Sequence, residues 1–239
     1  MNILEIKNFG KTYNNGKQAV ENISIEVAAG DIFAFIGHNG AGKSTTIKAV
    51  VGVLDFEQGE IYIEGLSIKT NPIDCKSITA YIPDNPDLYE HLTGIQYLNF
   101  ISDVFGLSSS EREQQIKKYA EAFEIMGNLG DLISSYSHGM KQKIALIGAV
   151  IHKPKLLILD EPFVGLDPKA AIVLRTIMKD LCTRGSAVFF STHVLDVAQK
   201  LCNKIAMIHH GKIAINGEME QLVKEQSLED LFMEVLENG

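Results

Sequence analysis

The sequence predicts an α/β fold built on a phosphate-binding loop, with an antiparallel β subdomain at its N-terminal end and a helical subdomain inserted midway. Three stretches carry that reading. Residues Gly37 to Ser44 read GHNGAGKS, matching GxxxxGK followed by Ser or Thr; the apolar run Ile32 to Ile36 precedes them and a helix opens over Thr45 to Val51. From about Pro86 to His152 the pattern turns helical. The chain then returns to a buried strand, Leu156 to Leu159, that ends in Asp160 and Glu161.

The loop's residue types suit one physical task. Gly37, Gly40 and Gly42 let the backbone turn tightly and aim successive N–H groups inward, so that with the helix N-terminus they form a concave anion site. Lys43 is placed to reach the β and γ phosphates of a nucleotide, and the Ser44 hydroxyl to ligate Mg²⁺. Asn39, Ala41 and Thr45 complete the set assigned to the nucleotide. The loop alone specifies only that a nucleoside triphosphate binds.

Ahead of it, residues 3–9 and 23–27, with Ile23, Ile25 and Val27 alternating with polar residues, predict half-buried antiparallel strands. Tyr13, in the turn-rich KTYNNGK, is an aromatic that either stacks on a base or covers the sheet edge. Residues 59–68 predict a hairpin with Gly65 at its turn, and Thr79 to Pro83 a further short strand. In the helical stretch, Ser110 to Glu113 is expected to form a capping box, followed by Ile116, Tyr119, Phe123 and Met126 at spacings of three and four, a core stripe.

Beyond Glu161, Asp167 with Pro168 is expected to cap a helix whose apolar face includes Ile172, Leu174, Ile177, Met178 and Leu181. Ala187 to Phe190 predicts another strand, with Ser191, Thr192 and His193 at its end. A hairpin around Gly211 and a charged, amphipathic tail close the chain. Several chemically capable residues therefore fall just past the carboxyl ends of strands, where open α/β sheets bind ligands. Asp160 suits a Mg²⁺ ligand beside Ser44; Glu161, pointing the other way, suits activation of an attacking water.

Composition narrows the partners. The 239 residues, 46% apolar, are enough for one large domain or two interleaved small ones. A net charge of −8 argues against a broad basic surface for nucleic acid or anionic lipid, and no nucleic-acid partner is expected. Cys75, Cys182 and Cys202 are widely spaced and odd in number, which predicts reduced, packed thiols in a cytosolic protein. The opening MNILEIKNFGK lacks the apolar core of a signal peptide, and the longest apolar or glycine run, Ile144 to Ile151, falls far short of the ~20 residues needed to span a bilayer.

Taken together, the motifs resemble the ATP-binding cassette (ABC) family, specifically the nucleotide-binding subunit of an ABC transporter, over roughly Leu4 to Gly217. The resemblance implies a P-loop NTPase core of ABC ATPase type over 1–85 and 153–217, an inserted helical signature subdomain over 86–152, and a C-terminal helical tail over 218–239. It implies ATP and Mg²⁺ as cofactors. Tyr13 matches the adenine-stacking aromatic, Gly37 to Ser44 the Walker A loop, and Leu156 to Asp160 the Walker B strand. Glu161 matches the catalytic carboxylate, Gly165 to Asp167 the loop that meets the other subunit, and His193 the switch histidine that senses the γ phosphate; Lys43 joins these two as a catalytic residue.

Two segments depart from the family pattern. The LSGGQ signature appears as Tyr136, Ser137, His138, Gly139 and Met140. Ser137 and Gly139 keep the hydroxyl and the close-approach N–H, and with Met140 they are assigned to the nucleotide of a partner copy. A protonated His138 near the γ phosphate would strengthen closure. Lys141 and Lys143 follow, as surface lysines or as added positive potential. The YSHGMKQK string resembles the bacterial ATPases that pair with separate drug, antibiotic or peptide exporter permeases. Asp84 stands where the family's Gln loop has glutamine, and is expected to reach a metal-bound water.

With one Walker A loop and one signature per chain, the resemblance implies a head-to-tail homodimer over two ATP molecules. It also implies a separate integral membrane permease, which would hold the dimer at the cytoplasmic face of the cell membrane. The alternative is a soluble ABC-type ATPase acting in assembly or regulation without a membrane partner.

Overall fold

The first sheet takes its pattern from the strand over Gln18–Ala28, where Ile23, Ile25 and Val27 are buried and the residues between them exposed. In the computed structural model, which describes residues 1–224 and 226–238, β1 (Asn2–Thr12) pairs antiparallel with β2 (Gln18–Ala28). The chain then enters the second sheet as β3 (Ile32–Ile36), passes the loop into α1 (Lys43–Val50), and returns as β4 (Gln58–Ile63) on the free side of β1. A two-residue turn at Glu64 and Gly65, both left-handed, joins β4 to β5 (Leu66–Ser67), the expected hairpin; this turn type follows the twist of the flanking strands. The sheet order is β2-β1-β4-β5.

After α2 (Pro72–Ser77) comes β6 (Thr79–Ile82), and then the helical stretch: α3 (Gly94–Val104), α4 (Ser109–Ala122), two 3₁₀ turns at 126–128 and 133–135, and α5 (His138–Val150). The second sheet resumes with β7 (Leu156–Asp160), α6 (Pro168–Thr183), β8 (Ala187–Thr192), α7 (Leu195–Leu201), β9 (Lys204–His209) and β10 (Lys212–Glu218). The short α8 (Met219–Leu222) and α9 (Leu228–Asn238) follow. Strand order is β10-β9-β3-β8-β7-β6, parallel except for the hairpin partner β10.

Both faces of this sheet are covered, which is why the central strands β3, β7 and β8 run apolar without alternation until their ends. Ala34, Ile36, Leu157, Leu159, Val188 and Phe190 face the helices; Phe33, Phe35, Leu156, Ile158 and Phe189 face the first sheet and α1. Phe189 lies between Phe33 and Phe35, with ring centroids 5.6 and 5.5 Å away. On the helical side, Leu98, Ile116, Phe123, Ile147, Leu174 and Met178 share one cluster with the sheet, and Leu228 of α9 is buried in it. The three cysteines are buried and unpaired, as expected, and burial pushes the Cys182 thiol up to about 12. Among the described residues no helix is long and apolar enough to cross a membrane.

Three local expectations are corrected. The capping box of α4 is Ser108 with Glu111, not Ser110 with Glu113. Both serines have a glutamate three residues on, but starting at Ser108 makes the helix two residues longer, and the preceding Leu107 packs on the core. Met126 is exposed because α4 ends at Ala122 and the stripe breaks. Ile172 is 62% exposed: it sits two residues, about 200° of helix, from the buried Leu174.

Just past α5, His152 stacks flat on Phe105, with 3.6 Å between ring centroids, and burial pulls its pKa down to about 4. In the unfolded chain the imidazole protonates near 6.5, so between these values the unfolded state binds the extra proton and stability falls as pH falls. Replacing His152 by Phe should remove roughly 3 kcal/mol of acid destabilisation between pH 6.5 and 4, measured as the difference between the two proteins in urea titrations. For the cap, Ser108→Ala should cost about 1 kcal/mol in the same assay, whereas Ser110→Ala should be within about 0.5 kcal/mol of zero.

Candidate active site

Three adjacent parallel strands set the site. β3, β8 and β7 lie side by side with Ile36 opposite Thr192 and Asp160 opposite Ser191, so the loop after β3, the carboxylates after β7 and the residues after β8 leave from one edge of the sheet. The loop's last glycine, Gly42, is left-handed (φ 118°), and a Cβ there would lie 2.8 Å from the Ala19 carbonyl. Gly42 also opens α1, with no side chain capping the helix, which leaves the N–H groups of the first turn available to an anion. The loop thus fits a phosphate chain.

The charged groups converge on that loop. The Lys43 side chain is 7% exposed; its ammonium donates to the Gly37 carbonyl at 2.6 Å and lies 3.7 Å from Glu161 Oε1. Asp160, also buried, accepts from the Ser44 hydroxyl at 3.0 Å on one oxygen and from the Ser191 hydroxyl on the other. Ser191 Oγ in turn accepts from the Glu161 N–H at 3.0 Å. Glu161 is left-handed (φ 49°), an uncommon conformation for a non-glycine residue. Its Oε2 lies 2.9 Å from His193 Nδ1 and accepts from the His193 N–H at 3.4 Å.

A cleft of about 250 Å³ opens over this network, lined by Tyr13, Lys17, Ala19, His38, Asn39, Gly40, Gly42, Lys43, Ser44, Thr45, Asp84, Asp160 and Glu161. Tyr13 stands at it with its hydroxyl 3.2 Å from Thr45 Oγ1. Asp84 therefore joins the site despite lying far off in sequence. The Tyr81 hydroxyl is pushed up to about 12 by burial, reinforced by the charges of Asp160 and Asp84. Gly37 and Ala41 do not line the cleft; both are buried, Ala41 fully.

Ser137, Gly139 and Met140 lie outside this cleft, at the start of α5. The Ser137 hydroxyl caps that helix by accepting from the Met140 N–H at 3.3 Å. The same helix end is tied to the loop that follows Glu161. Gln142 donates to the Pro162 carbonyl at 3.1 Å, and Lys143 Nζ lies 2.7 Å from Asp167, whose carboxyl that contact holds below the usual range. His138 packs on Gly165, where a Cβ would come within 2.8 Å of the imidazole and φ is +79°. The neighbour of His138 within its own chain is thus Gly165, and Lys141 pairs with Glu90. Sequence reasoning missed the bridging role of Ser191, for which strand-end position was the only signal, and the wall residues Lys17 and Ala19.

The sequence profile described as "ABC transporter" matches residues 20–164. EcsA, an ABC-type transporter ATP-binding protein of Bacillus subtilis (strain 168), is 33% identical over 98% of this chain and 97% of its own length. Among solved structures, an ATP-binding subunit of an ABC transporter superposes with a TM-score of 0.94 at 33% identity, covering 98% of this chain and 99% of the other. The dimeric, post-hydrolysis ATP-binding cassette MJ0796, bound to ADP and Pi, shares the fold with a TM-score of 0.81 at 21% identity, over 90% of this chain and 98% of that one. By its sequence and its fold, the chain belongs to the ABC transporter family as an ATP-binding subunit.

Proposed function

We propose that the chain hydrolyses ATP as the motor of a transporter, two copies closing head to tail over two ATP molecules to drive a separate membrane permease. The observation that carries the hydrolytic reading is Glu161, a carboxylate held by His193 at 2.9 Å beside the lysine of an anion-binding loop. In this reading Lys43 and the backbone of Asn39, Gly40, Gly42 and Thr45 bind the phosphates, backed by Gly37 and Ala41, and Tyr13 stacks on adenine. Glu161 takes the proton of the attacking water, and His193 orients that carboxylate toward the γ phosphate.

Ser44 and Asp160 present a hydroxyl and a carboxylate oxygen 3.0 Å apart, hard donors of the kind Mg²⁺ takes, and Asp84 adds a third oxygen donor at the cleft. When bound, the ion would neutralise charge on the β and γ phosphates.

Ser137, Gly139 and Met140 are exposed or half-exposed at a helix N-terminus away from their own cleft, which supports their use by the nucleotide of a second copy. That the MJ0796 cassette was solved as a dimer bound to ADP and Pi supports two copies acting together. The boundaries 1–85 with 153–217, 86–152 and 218–239 follow the separation of the strands from the block of helices between β6 and β7. Along that block runs a groove of about 370 Å³ lined by Pro83, Pro86, Tyr97, Ile101 and Ala149, with Tyr89, Phe100 and Val104 exposed on the same stretch of chain. It supports docking of an integral membrane permease, which would hold the chain at the cytoplasmic face of the membrane. The YSHGMKQK string supports an exporter.

Glu161→Gln should lower the ATPase rate by about 10²- to 10⁴-fold while ATP binding persists, and the variant should sediment as a dimer with ATP and as a monomer without it. Wild-type turnover in this variant would contradict the role of Glu161; failure to dimerise would contradict the closed state.

A further inference from the structure

Three imidazoles meet at the phosphate loop, and the nucleotide reading gives none of them a role, although His38 also lines the cleft. His38 is the second residue of the loop, His209 ends β9, and His210 opens the turn into β10. They meet because β9 runs next to β3, with Ile36 opposite Met207, and because the Gly211 N–H donates to the Ala41 carbonyl at 3.0 Å, joining turn to loop. Ring centroids are 5.1 Å apart for His38 and His209, 5.5 Å for His38 and His210, and 4.1 Å for His209 and His210. One ring nitrogen from each lies within 4.8 Å of the other two.

The nitrogens themselves point to a ligand. His38 Nδ1 lies 2.8 Å from the Asn39 carbonyl, so in the neutral ring Nδ1 donates there and Nε2 carries the lone pair. That Nε2 is shielded from solvent and has no hydrogen-bond partner; the same holds for both ring nitrogens of His209. Edge-to-face packing of rings accounts for the centroid distances but leaves these polar atoms unmatched, which shielded nitrogens rarely are. A backbone carbonyl fixing the far nitrogen of a metal-binding imidazole is the usual outer-shell arrangement.

We propose that His38, His209 and His210 form a binding site for a divalent transition metal of the Zn²⁺ class, with a water completing the coordination. Three imidazole nitrogens select Zn²⁺, Ni²⁺ or Cu²⁺ over Mg²⁺ and Ca²⁺, which take oxygen donors, so the site differs in chemistry from Ser44 and Asp160. Bonds of about 2.0–2.1 Å in tetrahedral geometry need nitrogens about 3.3 Å apart, so all three rings must draw together from their spacing of up to 4.8 Å, and the exposed His210 has the most room to turn. Glu21 lines the groove on which His209 and His210 open, where it pairs with Lys212 at 3.2 Å. A bound ion would staple the phosphate loop to the β9–β10 turn.

The test is calorimetric titration of the tag-free protein with ZnCl2, without nucleotide or Mg²⁺, alongside thermal melts and Co²⁺ absorption spectra. One Zn²⁺ per chain should bind with a Kd on the order of micromolar or tighter, Co²⁺ should show the d–d bands of a nitrogen-ligated ion, and Zn²⁺ should raise Tm. His210→Asn, which suits the left-handed backbone there (φ 45°), should weaken Zn²⁺ binding at least about tenfold and abolish the Tm shift, and His38→Asn should do the same. Binding no tighter than millimolar in the parent protein, or equal affinity in both variants, would overturn the site.

Discussion

The Asp160 carboxylate is the fixed point of the molecule. It is buried at the end of β7, and an unpartnered carboxylate there would cost several kcal/mol. Its two oxygens are satisfied from opposite sides, by Ser44 at the start of α1 and by Ser191 at the end of β8. Hydrogen bonds to a charged group contribute about 1.5–3 kcal/mol each, so the carboxylate holds helix and strand in one register. Ser191 passes that order on by accepting from the Glu161 N–H, and Glu161 passes it to His193. The chemistry of the cleft is therefore set by how three strands end.

A second set of contacts links the loop after Glu161 to the start of α5. Gln142 holds Pro162, Lys143 holds Asp167, and the His138 ring fills the space over Gly165. Asp167 also caps α6 by accepting from the Ala170 N–H at 2.8 Å. Besides the core they share, the block of helices and the strand that carries the carboxylates are thus tied through this short loop. In the proposed dimer that loop would transmit a change at Glu161 to the groove beside Tyr97, because α5 and α3 pack together along its length.

What the sequence made legible was local. The loop, the paired carboxylates of LLILDEP and the cap at Asp167 depend on neighbours within a few residues, and each lies where spacing placed it. Strand order is not local. Nothing in the run Ala187 to Thr192 states that β8 sits between β3 and β7, so the Ser191 bridge could be located only once the sheet was assembled. The convergence of His38 with His209 and His210 across β3 and β9 was hidden for the same reason. The misplaced cap at Ser110 is a different failure: two serines satisfied the same local rule, and packing of Leu107 together with helix length decided between them.

A cleft that carries Lys43 and Glu161 but not Ser137 or Gly139 is half of a composite site in the proposed mechanism. The most direct measurement is ATPase activity per chain as a function of protein concentration, with sedimentation recording the oligomeric state at each point. A composite site requires activity per chain to rise with concentration and to level off as dimers saturate. Constant activity per chain down to concentrations at which the protein is monomeric would mean that one copy is complete by itself.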